Sequence, residues 1–261
     1  MNQMESKLLY KYYPPEAYVL KALEDETICF TDLYSQNDPF ESFGFYQQSD
    51  DNETLQRDEK ELQTNVDNWI TDDQREMLHN WCRIFCTTTQ FDNVLMGSHY
   101  AKAHQGICVS YSLQDIEKYC HTFGKVKYSD HPITTNDDDP IQFLFIKAAD
   151  WKYENEFRGV YHIQTPECWF SPTLAMYCSR EADFDNEYLY FCIPHYSVRA
   201  RRRVLKKCAV QEVTLGINTS PEFENKVKPI CFSKEIPLYK AHMEKHSFNI
   251  SRVLLNPPKK Q

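Results

Sequence analysis

Glycine is scarce in this chain. There are six in 261 residues (Gly44, Gly97, Gly106, Gly124, Gly159 and Gly216), no two within eight positions of each other. A dinucleotide-binding turn or a P-loop needs clustered glycines so that the backbone can close on phosphate. Neither can be built here, and no G-x-S-x-G is present to form a hydrolase nucleophile elbow. The commonest nucleotide folds are therefore excluded, but nucleotide binding by other means is not. Long apolar runs are also missing: none approaches the ~18 residues that would suggest a membrane helix. The polar opening "MNQMESKLLYKYYPPEAY" lacks the apolar core of a secretory signal. No membrane association is expected, and the expected location is cytoplasmic. An excess of positive charge is absent too, since the net charge is −9. That argues against a surface covered in nucleic-acid-binding charge, though not against a local basic patch.

What is present is an ordinary globular balance, 41% apolar and 26% charged, long enough to bury a core. Aromatics reach 14%, a composition suited to cores and clefts where one end of a Tyr ring stays wet. The ten cysteines, with no secretory signal, read as reduced thiols used mostly as small core hydrophobes.

The pattern predicts a strand over 8–13 closed by Pro14–Pro15, a helix over 16–26 and a strand over 27–32. A turn-rich loop around Asn37-Asp38-Pro39 follows. Residues 49–81 read as a helical insertion, polar at first and then with Val66, Trp69, Ile70, Met77, Leu78 and Trp81 as core positions. A strand over 83–89, a short helix over 94–104 with Gly106 as C-cap, and a strand over 106–111 come next. Ser112 and Asp115 have capping-box spacing for a helix over 112–120. Residues 137–150 read as a helix and 154–163 as a strand or a helix-to-strand junction. Strands are expected over 187–193, 208–217 and 235–243, with a helix opened by Ser220-Pro221. Strands and helices mix without strict alternation, which predicts one α+β domain over 1–245 and a tail over 246–261.

"CRIFCTTTQFDNVLMGSHYAKAH" places Cys82, Cys86, His99 and His104 in C-x3-C-x12-H-x4-H spacing, a zinc-finger formula. The segment that would read nucleic acid has a single Lys, and Gly97 weakens its helix. A finger is also a self-standing unit, whereas this stretch lies inside a continuous domain. Zinc is not expected. A second local signal is "RARRRVLKK": Arg199, Arg201, Arg202, Arg203, Lys206 and Lys207. It reads either as a phosphate-contacting patch for a nucleotide or nucleic acid or as a solvated edge.

Polar residues inside apolar frames mark the candidate site. They are Lys11 beside Tyr10, then Asn37-Asp38, His99-Tyr100 with His104, and Glu154, Glu156 and Arg158. In an extended segment the last three share one face. They form either an ion-paired row or a catalytic wall.

"LLYKYY", "ICFTDLYSQNDPF", "LMGSHYAKAHQGICVSY", "WKYENEFRGV" and "QEVTLGINTS" occur in that order. This resembles a widespread bacterial family catalogued only as a domain of unknown function, with the pattern LYKYR, FNDPFD, MWxHYAxxHxGxC, WxxExEyR and eVxLG. The resemblance covers roughly residues 8–240. Tyr13 stands where Arg is frequent, Ser35-Gln36 replaces an aromatic, and Gly97 stands where Trp is usual. The family pattern does not require Cys82. The opening "LYKYYPPEAYVLKALEDETICF" is also similar to the first strand–helix–strand of ADP-ribosyltransferases, which bind NAD without a glycine-rich loop on a split sheet with helices. That resemblance implies Lys11 in the NAD-holding role, where the family has His or Arg. It implies Tyr100 or a residue near Thr31 in the second role, and Glu154 or Glu156 as the carboxylate. Candidate catalytic residues are thus His99, Tyr100, Glu154 and Glu156. Candidate NAD-binding residues are Tyr10, Lys11, Asn37, Asp38 and Arg158. Such an activity would suit a toxin or phage-defence effector. Two other classes stay open: a non-catalytic module binding nucleic acid or a partner protein, and a metal-dependent nuclease using Asp38, Glu154 and Glu156.

Overall fold

The computed structural model describes residues 7–38, 40, 45–46, 78–79, 81–131, 134–135, 140–163 and 203–255. Strand β1 (Leu8–Tyr13) ends at Pro14–Pro15, which cannot donate to a ladder, and helix α1 (Ala17–Asp25) follows. The helix buries Val19 and Leu23, one turn apart on one face, and closes on Glu26 at φ 48°. Then come β2 (Thr27–Phe30), a 3-10 turn at Leu33–Ser35, β3 (Phe45–Tyr46) and β4 (Cys82–Thr88). Asn93 caps α2 (Val94–Tyr100) by accepting from Leu95 N and Met96 N. The chain continues through β5 (Ile107–Ser112), α3 (Leu113–Glu117), β6 (Thr122–Lys125), β7 (Lys127–Ser129), β8 (Thr134–Thr135) and β9 (Ile146–Ala148). It ends with β10 (Glu156–His162), β11 (Val204–Lys207), β12 (Val210–Leu215), α4 (Pro221–Ser233), β13 (Leu238–Met243) and β14 (Ile250–Leu254).

Eight strands form one mixed sheet in the order β14-β13-β12-β5-β1-β4-β10-β6. All neighbours are antiparallel except β12 and β13, which α4 joins as a parallel crossover. The protein is a single α+β domain, as its mixed pattern predicts. On one face of the sheet, Leu9, Phe85, Val109, Val213 and Leu238 pack with Val19 and Leu23 of α1 and Val227 of α4. Fully burying each such side chain contributes roughly 1.5–3 kcal/mol. On the other face α2 covers Tyr12 and Cys108 with Met96. Among the described residues, no helix is long and apolar enough to cross a membrane.

Several expected elements take another form. The helix expected over 137–150 is, from Pro140 on, a 3-10 turn (Pro140–Phe145), strand β9, and a second 3-10 turn (Ala149–Glu154). Parallel pairing of Ile146–Ala148 with Lys127–Ser129 wins over helical propensity. Ser112 makes no side-chain cap, because it is still paired with Leu8 in the β5 ladder. The supposed tail contains β14, whose five residues pair with β13, so the domain extends to Leu254. The expected strand over 187–193 and nearly all of the insertion over 49–81 lie outside the described residues; Leu78 is buried as expected.

The helix over 94–104 stops at Tyr100. Lys102, Ala103 and His104 then take left-handed φ values of 49°, 54° and 62°. Each costs a residue with a Cβ roughly 1–2 kcal/mol. Tertiary bonds hold the turn: Asn218 donates from its backbone to His104 O and from Nδ2 to Ala103 O, both at 3.0 Å. Gly216 permits this approach, since a Cβ there would lie 2.1 Å from His104 O. The "HYAKAHQG" and "LGINTS" motifs are thus two halves of one packing contact. Gly106 is not a left-handed cap; a Cβ there would strike Tyr13 O at 1.9 Å, so its role is close packing.

Candidate active site at the split in the sheet

The site begins where the sheet opens. Strands β1 and β4 share a single bridge, Tyr10 with Thr88. Further along the same edge of β4, Ile84 exchanges hydrogen bonds with Thr31, just beyond β2, at 2.8 and 2.9 Å. Cys86 lies between these two anchors and has no ladder partner on that edge. Tyr12, next in register on β1, has drifted away. Lys11 spans the opening: its Nζ donates to Cys86 O at 2.8 Å and sits 4.7 Å from the Phe85 ring centroid.

The opening is a cleft of about 550 Å³, including its mouth. Tyr10, Lys11, Asn37, Tyr100, Glu154 and Glu156 line it, together with Thr31, Gln36, Cys86 and Lys147. Six residues singled out from sequence therefore meet here. One wall is built from the segment around β9 and β10. The second 3-10 turn ends in Glu154, and Asn155 reverses the chain at φ 43°, a conformation Asn tolerates. Glu156 then opens β10. Glu154 does not reach the cluster by strand alternation; this left-handed reversal carries it there.

Lys147 on β9 ties the wall together, donating to Glu154 Oε2 at 2.6 Å and to Glu156 Oε2 at 3.2 Å. Arg158 donates from Nε to Glu156 Oε1 at 2.7 Å, from a terminal nitrogen to Oε2 at 3.1 Å, and to Leu144 O at 2.5 Å. Glu154 and Glu156 are each 3% exposed and Arg158 is fully buried. The row is a buried network, not a surface one. The remaining oxygen of Glu154 accepts from the Tyr100 hydroxyl, which itself accepts from Asn37 Nδ2 at 2.6 Å.

These contacts drive the two carboxylates apart electrostatically. Burial raises the pKa of Glu154, the neighbouring Glu156 charge adds to this, and Lys147 and Tyr100 only partly oppose it. Burial would also raise Glu156, but the Arg158 guanidinium and then Lys147 outweigh it and hold its carboxyl well below the usual range. Burial pushes Tyr100 well above its ordinary value, with Glu154 reinforcing the effect. It pushes the Cys86 thiol up to about 12. Glu156 is thus a fixed counter-ion, while Glu154, on the cleft wall, has the higher proton affinity of the two.

The other candidates lie elsewhere. Arg158 sits behind Glu156 and orients it. Asp38 is buried and accepts from Phe40 N at 2.9 Å, and it does not line the cleft. His99 points outward from α2 against Tyr153, ring centroids 5.9 Å apart. His104 borders a separate hollow on the other side of α2, so His99, Tyr100 and His104 do not share one cleft. Cys82 opens β4 in the core, and among the described residues no three His, Cys, Asp or Glu side chains are grouped to hold a metal. Of the basic run, Arg199, Arg201 and Arg202 lie outside the described residues. Arg203 is exposed, Lys206 lies over the Tyr161 ring, and Lys207 donates to Asp25 O. Sequence reasoning missed Lys147. Its signal was present: a lone Lys in the apolar run "FLFIKAA", the pattern that identified Lys11. Comparison with protein families, curated proteins and solved structures finds no match to this chain.

Proposed function

We propose that the split-sheet cleft binds a nucleotide and breaks the bond between a ribose and its base, as an NAD-using ADP-ribosyltransferase does, in a reducing cytoplasm. The observation that carries this reading is Glu154: a dry carboxylate of raised proton affinity, hydrogen-bonded to Tyr100 and Lys147, on the wall of a cleft that also holds Lys11. An ammonium has three donors, and Cys86 O takes one of Lys11's. The others suit an anionic part of the substrate. When the N-glycosidic bond breaks, its electron pair leaves with the base and the ribose C1′ gains oxocarbenium character. Glu154 stabilises that charge and accepts the proton of the attacking hydroxyl. Asn37 and Tyr100 orient the carboxylate, and Lys147 keeps it paired between turnovers.

The test is nicotinamide release from NAD by the purified protein, alone and with RNA, DNA or cell lysate. The Glu154→Gln variant runs alongside. Release that this substitution removes supports the reading, and the stimulating additive points to the acceptor. Wild-type protein that releases nothing under any condition, or release that survives Glu154→Gln, overturns it. A non-catalytic binding module would then become the working hypothesis, tested by nucleic-acid affinity against salt.

A further inference from the structure

We propose that β14 is a self-pairing edge through which two copies of this chain form a two-fold dimer with one continuous sheet. The inference does not depend on the reading of the cleft. Two hydrogen bonds fix which way the β14 backbone faces. Leu255 N donates to Leu238 O at 2.7 Å, and Glu244 N donates to Asn249 O at 3.0 Å. Odd-numbered positions therefore face β13, and Ile250, Arg252 and Leu254 direct their N–H and C=O groups away from it. Among the described residues no strand pairs with that side, and β14 ends the strand order.

Open edges are usually guarded by charge, proline or shortness. The opposite edge follows this rule, since β6 has four residues and ends in exposed Lys125. The β14 edge does not. Its one charged side chain, Arg252, is turned back across β13. The guanidinium donates to Glu212 Oε1 at 2.7 Å and Thr214 Oγ1 at 2.9 Å, between the rings of Phe91 and Tyr239, each 4.1 Å from Cζ. Around the edge Phe248 is wholly exposed, and Met243, Val253 and Leu254 are more than half exposed.

A second copy fits this edge by symmetry. With the two-fold axis at Arg252, the outward groups of Ile250 meet those of Leu254 in the other copy, and Arg252 meets itself. Each facing pair exchanges two hydrogen bonds. Ile250 lies opposite Leu254 on one face, and on the other Val253 lies opposite the small Ser251. The two arginines diverge towards their own glutamates, so like charges do not meet at the axis. The exposed Phe248 comes beside the far end of the second β14, near Leu254 and Leu255.

The test is sedimentation velocity of the full chain across the micromolar range, with Leu254→Pro and Leu254→Lys. The Leu254 N–H faces the open edge, so proline removes a donor from the dimer and none from the β13 ladder. A concentration-dependent dimer is expected. Either variant should weaken it at least about tenfold, because symmetry removes a contact from each copy. Hydrogen exchange at Ile250, Arg252 and Leu254 should slow as concentration rises. Wild-type protein that stays monomeric overturns the proposal, as does a dimer unaffected by Leu254→Lys.

Discussion

The two sides of the cleft solve opposite problems. On the wall around β9 and β10, the buried charges find protein partners: Glu156 has two cations, Arg158 reaches both a carboxylate and a carbonyl, and Lys147 serves two carboxylates. Across the opening, at the split between β1 and β4, the backbone at Cys86 has no ladder partner on the β1 edge, and among the described residues Lys11 is the one cation lining that side. A saturated network fixes geometry and accepts little from a ligand. An unsaturated edge is where a ligand's polar atoms find partners. Glu154 belongs to the wall but faces the opening, and it is the wall carboxylate whose proton affinity is raised. The wall is thus paired and the split open, and Glu154 stands at their junction.

The most damaging way to break this arrangement is Glu156→Gln. It removes the carboxylate that the buried Arg158 guanidinium grips with two nitrogens, and breaking a buried ion pair from one side costs about 3–5 kcal/mol. Denaturant unfolding should show that loss, and activity should disappear with the fold. Glu156 is therefore the wrong residue with which to probe chemistry. A variant of near-native stability would show that the Glu156–Arg158 pair does not frame the wall.

Glu154→Gln should act on turnover instead. Lys147 keeps Glu156 as a partner, and the amide retains an oxygen for Tyr100, so the fold should hold. The rate should fall about 10²- to 10⁴-fold, the usual loss of a positioned acid–base group. The same pair makes a pH prediction with opposite signs. Glu154 has a raised pKa in the folded state. Its contribution is present below the ordinary carboxylate value of 4.5 and is lost as pH rises through the folded pKa. Glu156 has a lowered pKa. Its contribution is present above 4.5 and is lost as pH falls through the folded value. Stability measured upward from pH 4.5 should therefore decline less in Glu154→Gln than in the wild type. Parallel curves would place the raised proton affinity on another group.

How much of this was legible in the sequence follows from the range of each interaction. Strand β1, helix α1 and the Ser220-Pro221 start of α4 were readable because a proline or cap stands at each boundary. The polar positions of the cleft were readable as interruptions of apolar frames. Their partnerships were not: Asn37 and Tyr100 are 63 residues apart, and no local pattern pairs them. The segment from Pro140 to Glu154 misled because its apolar run suits a helix as well as a buried strand. Only the pairing of β9 with β7 decides between them, and that choice aims Lys147 at the carboxylates. Strand alternation put Glu154 and Glu156 on equal terms. The left-handed reversal at Asn155 separates their roles, and it too depends on tertiary contacts.

Tyr100→Phe is a finer test of the junction. It removes one hydroxyl that accepts from Asn37 and donates to Glu154, at a stability cost of about 1 kcal/mol. The Tyr100 bond lowers the Glu154 pKa, so its loss should raise that value further. The acidic limb of the rate profile should move to higher pH. An unmoved limb with a reduced rate would make Tyr100 a packing residue.

The smallest expected effect tests the other side of the comparison. Lys11→Met keeps the aliphatic stem against Phe85 and removes one hydrogen bond to Cys86 O, so stability should change by about 1 kcal/mol or less. If the split binds and the wall reacts, this change should raise KM and leave kcat almost untouched. It should also flatten the dependence of KM on ionic strength, because an attraction between ammonium and anion weakens with salt and an apolar contact does not. Measuring KM at two salt concentrations, for the wild type and for Lys11→Met, separates these contributions. A fall in kcat at constant KM would place Lys11 with Glu154 on the reacting side, and the division between binding edge and catalytic wall would have to be redrawn around it.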